Sequence, residues 1–255
     1  MKISIITVVL NNKPYIEDCI NSVLGQSYKN IDYIIVDGGS TDGTVDVIRK
    51  YERHLSHWLS EKDRGIYEAM NKGIKLATGE VVGILNSDDY YENGDVIAAV
   101  AEEFHKQEVA SVFADLVYVK RDDTSVVVRY YDSSFFSPEK FAYGWMPAHP
   151  TFFVKRIYYE LYGLFKTDYR IAADYELLTR FLGKYGISYR HISKVIVRMR
   201  TGGVSTRNLK RNWILNREII RACAENGIKT SYFKVFSKYF VKVSQLIVRP
   251  ALICL

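Results

Sequence analysis

Cysteine is scarce in this chain. Its 255 residues include three, Cys19, Cys223 and Cys254. The number is odd and the spacing wide, which excludes a disulfide framework or a zinc pattern and points to a reducing cytosol. Histidine is also sparse, and His54, His57, His105 and His191 show no metal-ligand spacing. No uncharged apolar stretch reaches the length of a bilayer span. The opening Met1-Lys2-Ile3-Ser4 runs straight into strand-like sequence, so no signal peptide is expected. Repeats, low-complexity tracts and clean linkers are missing, which favours one domain with a mixed second half. Acidic residues all but vanish toward the end: from Lys184 onward 15 Lys/Arg accompany only Glu218 and Glu225, a balance of +13. Residues 1–110 carry 11 Lys/Arg and 18 Asp/Glu, a balance of −7. So basic a final third seeks an anionic surface, whether phospholipid, a lipid-linked pyrophosphate or nucleic acid, unless it is only a solvated helix face.

What is present is a regular alternation. Ile3–Val9 is a β-branched run that reads as a buried strand and ends at Asn11-Asn12. Pro14 is expected in the first turn of a helix carrying Ile16, Ile20, Val23 and Leu24, closed by Gly25. Tyr33–Val36 is a second strand, Trp58-Leu59-Ser60 a short third and Val81–Leu85 a fourth, with helices between them. Strands alternating with helices over about 85 residues predict a doubly wound, Rossmann-like α/β half with parallel strands. After Tyr90 the pattern becomes mixed: a helix over 95–105, strands over 111–119, 125–130, 151–154 and 195–199, a helix over 173–182, and two closing helices. The aromatic residues, 20 Tyr and 12 Phe in all, concentrate in this second part.

The fourth strand stops abruptly in Asn86-Ser87-Asp88-Asp89. The carboxyl end of such a strand is where open α/β sheets bind ligands. Adjacent carboxylates there repel unless a cation lies between them and something anionic, and Mg²⁺ or Mn²⁺ on a diphosphate meets that need. An acidic turn capping the next helix is the alternative.

Six ordered blocks across about 90 residues resemble the family 2 glycosyltransferases, which have the GT-A fold. They are Ser4-Ile5-Ile6-Thr7; Tyr15–Leu24 with Gln26-Ser27; Ile35–Thr44; Ser60–Tyr67 with Met70-Asn71-Lys72-Gly73; Ala77-Thr78-Gly79-Glu80; and Leu85–Asp89. The Asp37 loop and the Glu61–Tyr67 block resemble the branch that builds bacterial O-antigen, capsule and exopolysaccharide repeat units. The second half matches more loosely, through His149–Phe153, Ala173–Glu176 and Gly202–Ser205. The resemblance implies a GT-A domain over 1–205, with a nucleotide-sugar half (1–90) and an acceptor half (91–205), followed by basic amphipathic helices over 206–255.

It also implies roles. Thr7 and the Val8-Val9 backbone, with Asp37, would hold the uracil of a UDP-sugar. Asp63, Arg64 and Gly65 would flank base and ribose. Asn86-Ser87-Asp88 occupies the family's Asp-x-Asp place, so Asp88 would bind Mn²⁺ or Mg²⁺ and Asp89 would support the metal or the sugar. Asn86 replaces the first acid; its amide can reach a ribose hydroxyl but brings no charge. Asp174 resembles the family's general base at the amino end of a helix, where the dipole favours its ionised form; capping that helix is its plainer use. A single base with direct displacement implies inversion, whereas retention needs a second carboxylate as nucleophile. His149 would contact acceptor or diphosphate, or else satisfy a loop carbonyl. Gly202, Gly203, Val204 and Ser205 would close over the pyrophosphate with backbone N–H groups, or form a plain turn.

Lys234, Lys238 and Lys242 share one helix face, with Phe233, Phe236, Phe240, Val243 and Ile247 covering much of the other. That pattern suits a helix lying in a membrane interface, or a core helix with snorkelling lysines. The expectation is a cytoplasmic enzyme, peripheral at the inner face of the plasma membrane. It would move a hexose, glucose or N-acetylglucosamine, from UDP to a polyprenyl-pyrophosphate-linked sugar, with no nucleic-acid partner. Three rivals are weighed against it. A sugar-nucleotide pyrophosphorylase needs a Gly-rich, Arg-containing loop that Val9–Pro14 does not supply. A non-catalytic sugar-nucleotide binder is prompted by Asn86. A basic nucleic-acid module would do without the acidic site.

Overall fold

A computed structural model describes residues 1–106, 108–202 and 209–237. The first half alternates as its apolar runs require: β1 (Ile3–Val9), α1 (Ile16–Leu24), β2 (Ile31–Asp37), α2 (Thr44–Lys50), β3 (His57–Ser60), α3 (Ile66–Leu76) and β4 (Val81–Asn86). These four strands lie parallel in the order β3-β2-β1-β4. β1 is buried at all seven positions because helices cover both faces of the sheet.

The second half adds β5 (Asp89–Tyr91), α4 (Val96–Lys106), β6 (Ser111–Val119), β7 (Val127–Tyr131), β8 (Phe153–Lys155), α5 (Ile157–Tyr162), α6 (Ala173–Leu178), β9 (Tyr189–Arg200) and α7 (Leu209–Glu225). β8 pairs antiparallel with β4 and β6, which turns the parallel sheet into a mixed one. β6 runs parallel to β9, β7 folds back on β6, and β5 closes the far edge against β9. The result, among the described residues, is one nine-stranded sheet.

Two cores flank it. One face packs Ile16, Ile20 and Val23 of α1, Val47 and Ile48 of α2, and Val96, Ile97 and Val100 of α4. The other packs Met70 and Ile74 of α3 with Leu177 and Leu178 of α6 and Ile219, Ala222 and Cys223 of α7. α3 approaches β1 closely at Gly73, where a Cβ would stand 2.3 Å from Ile6 Cγ2. Among the described residues no helix is long and apolar enough to cross a membrane.

Several expectations shift. Pro14 lies in the turn before α1, because Tyr15 and Ile16 both direct their N–H groups to the Asn12 carbonyl and the helix starts only there. Asp89 belongs to a short strand, since it pairs with Met199 across the sheet. The helix expected to run to residue 182 leaves α geometry after Leu178 and continues as a π-helical turn, Thr179–Lys184. β9 is twelve residues long, and α5 was not anticipated. Of the tail stripe, Lys238, Phe240, Lys242, Val243 and Ile247 lie outside the described residues.

Candidate active site

Parallel pairing brings the ends of β1, β2 and β4 together: Val9 stands beside Asp37, and Val8 beside Asn86. Asp37 is fully buried. Its Oδ2 accepts the N–H groups of Gly39 (3.0 Å) and Ser40 (2.9 Å) and the Ser60 hydroxyl (2.6 Å). Its Oδ1 has no partner among the described residues. The Asp63 carboxylate lies directly over Gly38, where a Cβ would come within 2.6 Å of its Oδ2, so any side chain at 38 would push the Asp63 carboxylate aside. Asp63 also accepts the Gly65 N–H at 2.9 Å. The loop after β1 is tied to the loop after β2, with Asn11 Oδ1 accepting the Thr41 N–H and Asn12 N–H donating to Thr44 Oγ1.

Asn12 Nδ2 donates to Ser87 Oγ at 2.8 Å, which draws the first loop to the acidic turn. There Asp88 is half-buried and Asp89 fully buried. Burial, and then the charge of Asp88, hold the Asp89 carboxyl well above the usual carboxylate range. Asn86 Nδ2 reaches Asp89 Oδ2 at 3.4 Å, while Asn86 Oδ1 and Asp89 Oδ1 are buried and lack partners among the described residues. Buried polar atoms are rarely left so. Two orphaned oxygens beside a half-exposed carboxylate are the hard donor set a divalent ion takes, with phosphate oxygens completing its shell. The donors present therefore fit Mg²⁺ or Mn²⁺, although no cluster of three or more His, Cys, Asp or Glu side chains occurs among the described residues.

Arg200, at the end of β9, is buried against this turn. It donates to the Asp88 carbonyl at 2.9 Å, pairs with Asp18, and lies 4.9 Å from the Tyr15 ring and 4.8 Å from the Tyr90 ring. Arg121 also stacks on Tyr15, at 4.6 Å, and donates to the Gly202 carbonyl at 3.4 Å.

Asp174 is the second residue of α6 and half-buried. Burial raises its carboxyl to about 6, with a smaller push from the charge of Glu218 and an opposing pull from the Tyr175 N–H, 2.8 Å away. Such a group is ionised at neutral pH yet basic enough to take a proton. Its charge is felt by Tyr67, Tyr118 and Tyr131. Tyr118 feels the charge of Asp89 as well.

Not every expected residue joins the site. The Thr7 hydroxyl is sealed in the core, 3.1 Å from Tyr33 Oη and 3.6 Å from Cys19 Sγ, so it cannot hold a base by its side chain. Val9 is buried and its carbonyl accepts the Gly38 N–H. The Arg64 side chain is 84% exposed and paired with Glu68 one turn on along α3. His149 is buried edge-on against Phe165 at 5.6 Å, and burial lowers it to about 4, so the ring is neutral and packs as core. Gly202 has φ +90° and carries the carbonyl that Arg121 holds, while Gly203, Val204 and Ser205 lie outside the described residues. Arg200, Tyr15 and Tyr118 were missed. The pairing of β5 and of β6 with β9 sets Arg200 and Tyr118 in one sheet with the turn, Tyr15 meets Arg200 through its ring, and no local motif announces either.

The family model for glycosyl transferase family 2 matches residues 4–160. A PGL/p-HBAD biosynthesis glycosyltransferase of Mycobacterium bovis is 28% identical over 222 residues, covering 86% of this chain and 82% of that protein. An uncharacterized glycosyltransferase of Mycobacterium tuberculosis is 32% identical over 181 residues, covering 70% and 68%. Among solved structures, S. aureus TarS 1-349 in complex with UDP-GlcNAc superposes with a TM-score of 0.71 at 18% identity, covering 99% of this chain and 77% of that one. A mannosyltransferase from Pyrobaculum calidifontis in complex with GDP-Man and Mn²⁺ gives 0.62 at 20% identity, covering 98% and 81%. The chain spans 46% of the longer TarS chain. The α/β sheet is thus that of GT-A glycosyltransferases.

Proposed function

The chain belongs to glycosyl transferase family 2 and is a glycosyltransferase that uses a sugar nucleotide, and from that premise we propose that it is an inverting, metal-dependent hexosyltransferase. Its donor is a UDP-sugar carrying glucose or N-acetylglucosamine. Its acceptor is a polyprenyl-pyrophosphate-linked sugar of a bacterial surface polysaccharide such as O-antigen. The observation that carries this reading is the pair of buried oxygens, Asn86 Oδ1 and Asp89 Oδ1, left without a partner among the described residues beside the half-buried Asp88 at the end of β4.

Asp37, held rigid by two N–H groups and a hydroxyl, receives the nucleoside with Asp63 beside it. Asp88, with Asn86 Oδ1 and Asp89 Oδ1 beside it, would hold the divalent ion, which would supply neutralisation of charge on the diphosphate. Asp174 takes the acceptor hydroxyl's proton as its oxygen attacks the anomeric carbon. The bond from that carbon to the phosphate oxygen breaks, and UDP leaves with the electron pair. The single displacement inverts the anomeric centre. Support for the donor comes from the UDP-GlcNAc complex of the similar TarS fold. Arg200 fixes the Asp88 backbone through its N–H to that carbonyl.

A peripheral place at an anionic membrane is part of the same reading. It is supported by Trp213, Tyr232 and Phe233, exposed at 53%, 47% and 86%, close to Lys234 in sequence or space. Sedimentation with phosphatidylglycerol vesicles, set against phosphatidylcholine vesicles, tests it. The main test is a UDP-sugar screen with Mn²⁺, read as released UDP with a synthetic pyrophosphate-lipid acceptor. Asp88→Ala is expected to abolish metal-dependent turnover, and Asp174→Asn to lower kcat roughly a hundredfold or more at similar donor KM. Wild-type turnover by Asp174→Asn overturns the base assignment.

A further inference from the structure

Three consecutive N–H groups ahead of α6 converge on one carboxylate from a distant helix. Arg170 N–H meets Glu218 Oε1 at 2.7 Å, and the N–H groups of Ile171 and Ala172 both meet Oε2 at 2.9 Å. Glu218 lies in α7, one residue before the core residue Ile219. α6 needs this outside help. Its start has no side-chain cap, and Ala172 and Ala173 are fully buried, so water cannot reach the Ala172 N–H at the helix start to satisfy it. From the other side Tyr67 of α3 donates its hydroxyl to the Ile171 carbonyl. The same two elements are clamped again further along: Glu225 takes Lys166 and Tyr169, and Arg221 pairs with Asp168.

We infer that Glu218 is a positioning residue for proton transfer: by gathering the N–H groups of 170–172 on its carboxylate, it fixes where α6 begins and hence where the Asp174 carboxyl stands. The inference rests on Asp174 being the proton acceptor. Glu218 touches no reacting atom. It acts through the backbone two residues before Asp174, and its charge also reaches that carboxyl and disfavours ionisation. The other groups whose fields meet Asp174 are Tyr67 of α3, Tyr118 of β6 and Tyr131 of β7, with the Arg129 guanidinium lying over the last two rings. Tyr67, Tyr118 and Tyr131 are kept protonated by burial, so Glu218 is the negative charge among these groups.

Glu218→Gln separates this role from plain support. The carboxamide has one acceptor oxygen where the carboxylate has two, and no negative charge. Three readouts are expected to move together. Amide exchange at 170–172 rises roughly tenfold or more while the core of β1 and β4 is unchanged. The ¹³C-carboxyl titration of Asp174 moves to lower pH. Release of UDP from UDP-N-acetylglucosamine with Mn²⁺ slows about tenfold or more in kcat, at a donor KM within about twofold of wild type. An unmoved titration with wild-type kcat overturns the inference, and so does exchange that rises throughout the chain with loss of donor binding. Should Glu218→Gln fail to fold, Glu218→Asp decides. It keeps the charge but withdraws it by one methylene, so faster exchange at 170–172 with lowered kcat supports the role, and wild-type values reject it. Asp174→Asn is the companion control. If that variant turns over like wild type, the base assignment fails, while the exchange and titration arms still report whether Glu218 sets the segment.

Discussion

Arg200 donates an N–H to the carbonyl oxygen of Asp88 at 2.9 Å, across 112 residues of chain. This bond fixes the backbone of the acidic turn and leaves the Asp88 carboxylate free for a ligand. The Arg200 guanidinium is held in turn by the Tyr15 and Tyr90 rings and by Asp18. Replacing it with methionine keeps the volume and removes the donors. Arg200→Met is expected to cost about 2 kcal/mol, the scale of a buried hydrogen bond from a charged group, and to weaken Mn²⁺-dependent UDP binding roughly tenfold. Urea denaturation and calorimetric titration check the two effects separately. Unchanged UDP affinity would show that the turn keeps its shape without Arg200.

Asp174 carries a pH signature in stability as well as in rate. Its carboxyl titrates at about 6 in the fold, above the ordinary value of 3.8, because burial opposes the charge. The unfolded chain thus gives up this proton first. Stability falls as pH rises from about 4 to about 6 and levels off above that. Asp174→Asn removes the penalty, so it is expected to stabilise the protein by about 1–3 kcal/mol at pH 8 and hardly at all at pH 4. Thermal melts at both pH values check this. The same ionisation predicts an acid limb near pH 6 in kcat for the wild type.

His149 titrates in the opposite sense. Burial lowers it from 6.5 to about 4, so the folded protein keeps it neutral while the unfolded chain protonates it. Its contribution is intact above about pH 6.5 and is lost as pH falls toward 4. His149→Phe, a ring of similar shape against Phe165, is expected to reduce the loss of stability between pH 7 and pH 5. Activity at pH 8 should stay within about threefold of wild type, because a neutral core ring supplies no charge to a diphosphate. A large fall in kcat with normal stability would return His149 to the site.

Cys19 is fully buried, and burial pushes its thiol up to about 12. The thiolate is the reactive form. Native protein at pH 8 should therefore leave Cys19 unalkylated by iodoacetamide, with labelling only after unfolding in urea. Peptide mass spectrometry reads the outcome, and rapid native labelling would mean that the β1–α1 layer opens.

The sequence was most legible where one strand and its following loop decide a position. Asp37 and Asn86–Asp89 stand at the ends of parallel strands, and strand order alone brings them together. Thr7 was misread for a physical reason: β1 is buried on both faces, so no alternation of polar and apolar residues reveals which way its hydroxyl points. Arg64 matched a motif, but its pairing with Glu68 on the next helical turn decided its direction. Arg200, Tyr118 and Glu218 were out of reach, since each arrives by contact between segments far apart in sequence and bears no mark of that destination.

The packing of α7 into the core constrains how this enzyme can be re-engineered. Residues 91–205, the proposed acceptor half, invite exchange as a cassette in chimeras, but the cassette is incomplete. A transplant that leaves residues 209–225 behind would strip the apolar wall made by Ile219, Ala222 and Cys223. It would also strand three peptide N–H groups beside Asp174. Exchanges that carry the helix along keep that stretch of backbone intact, and the workable splice point lies after it.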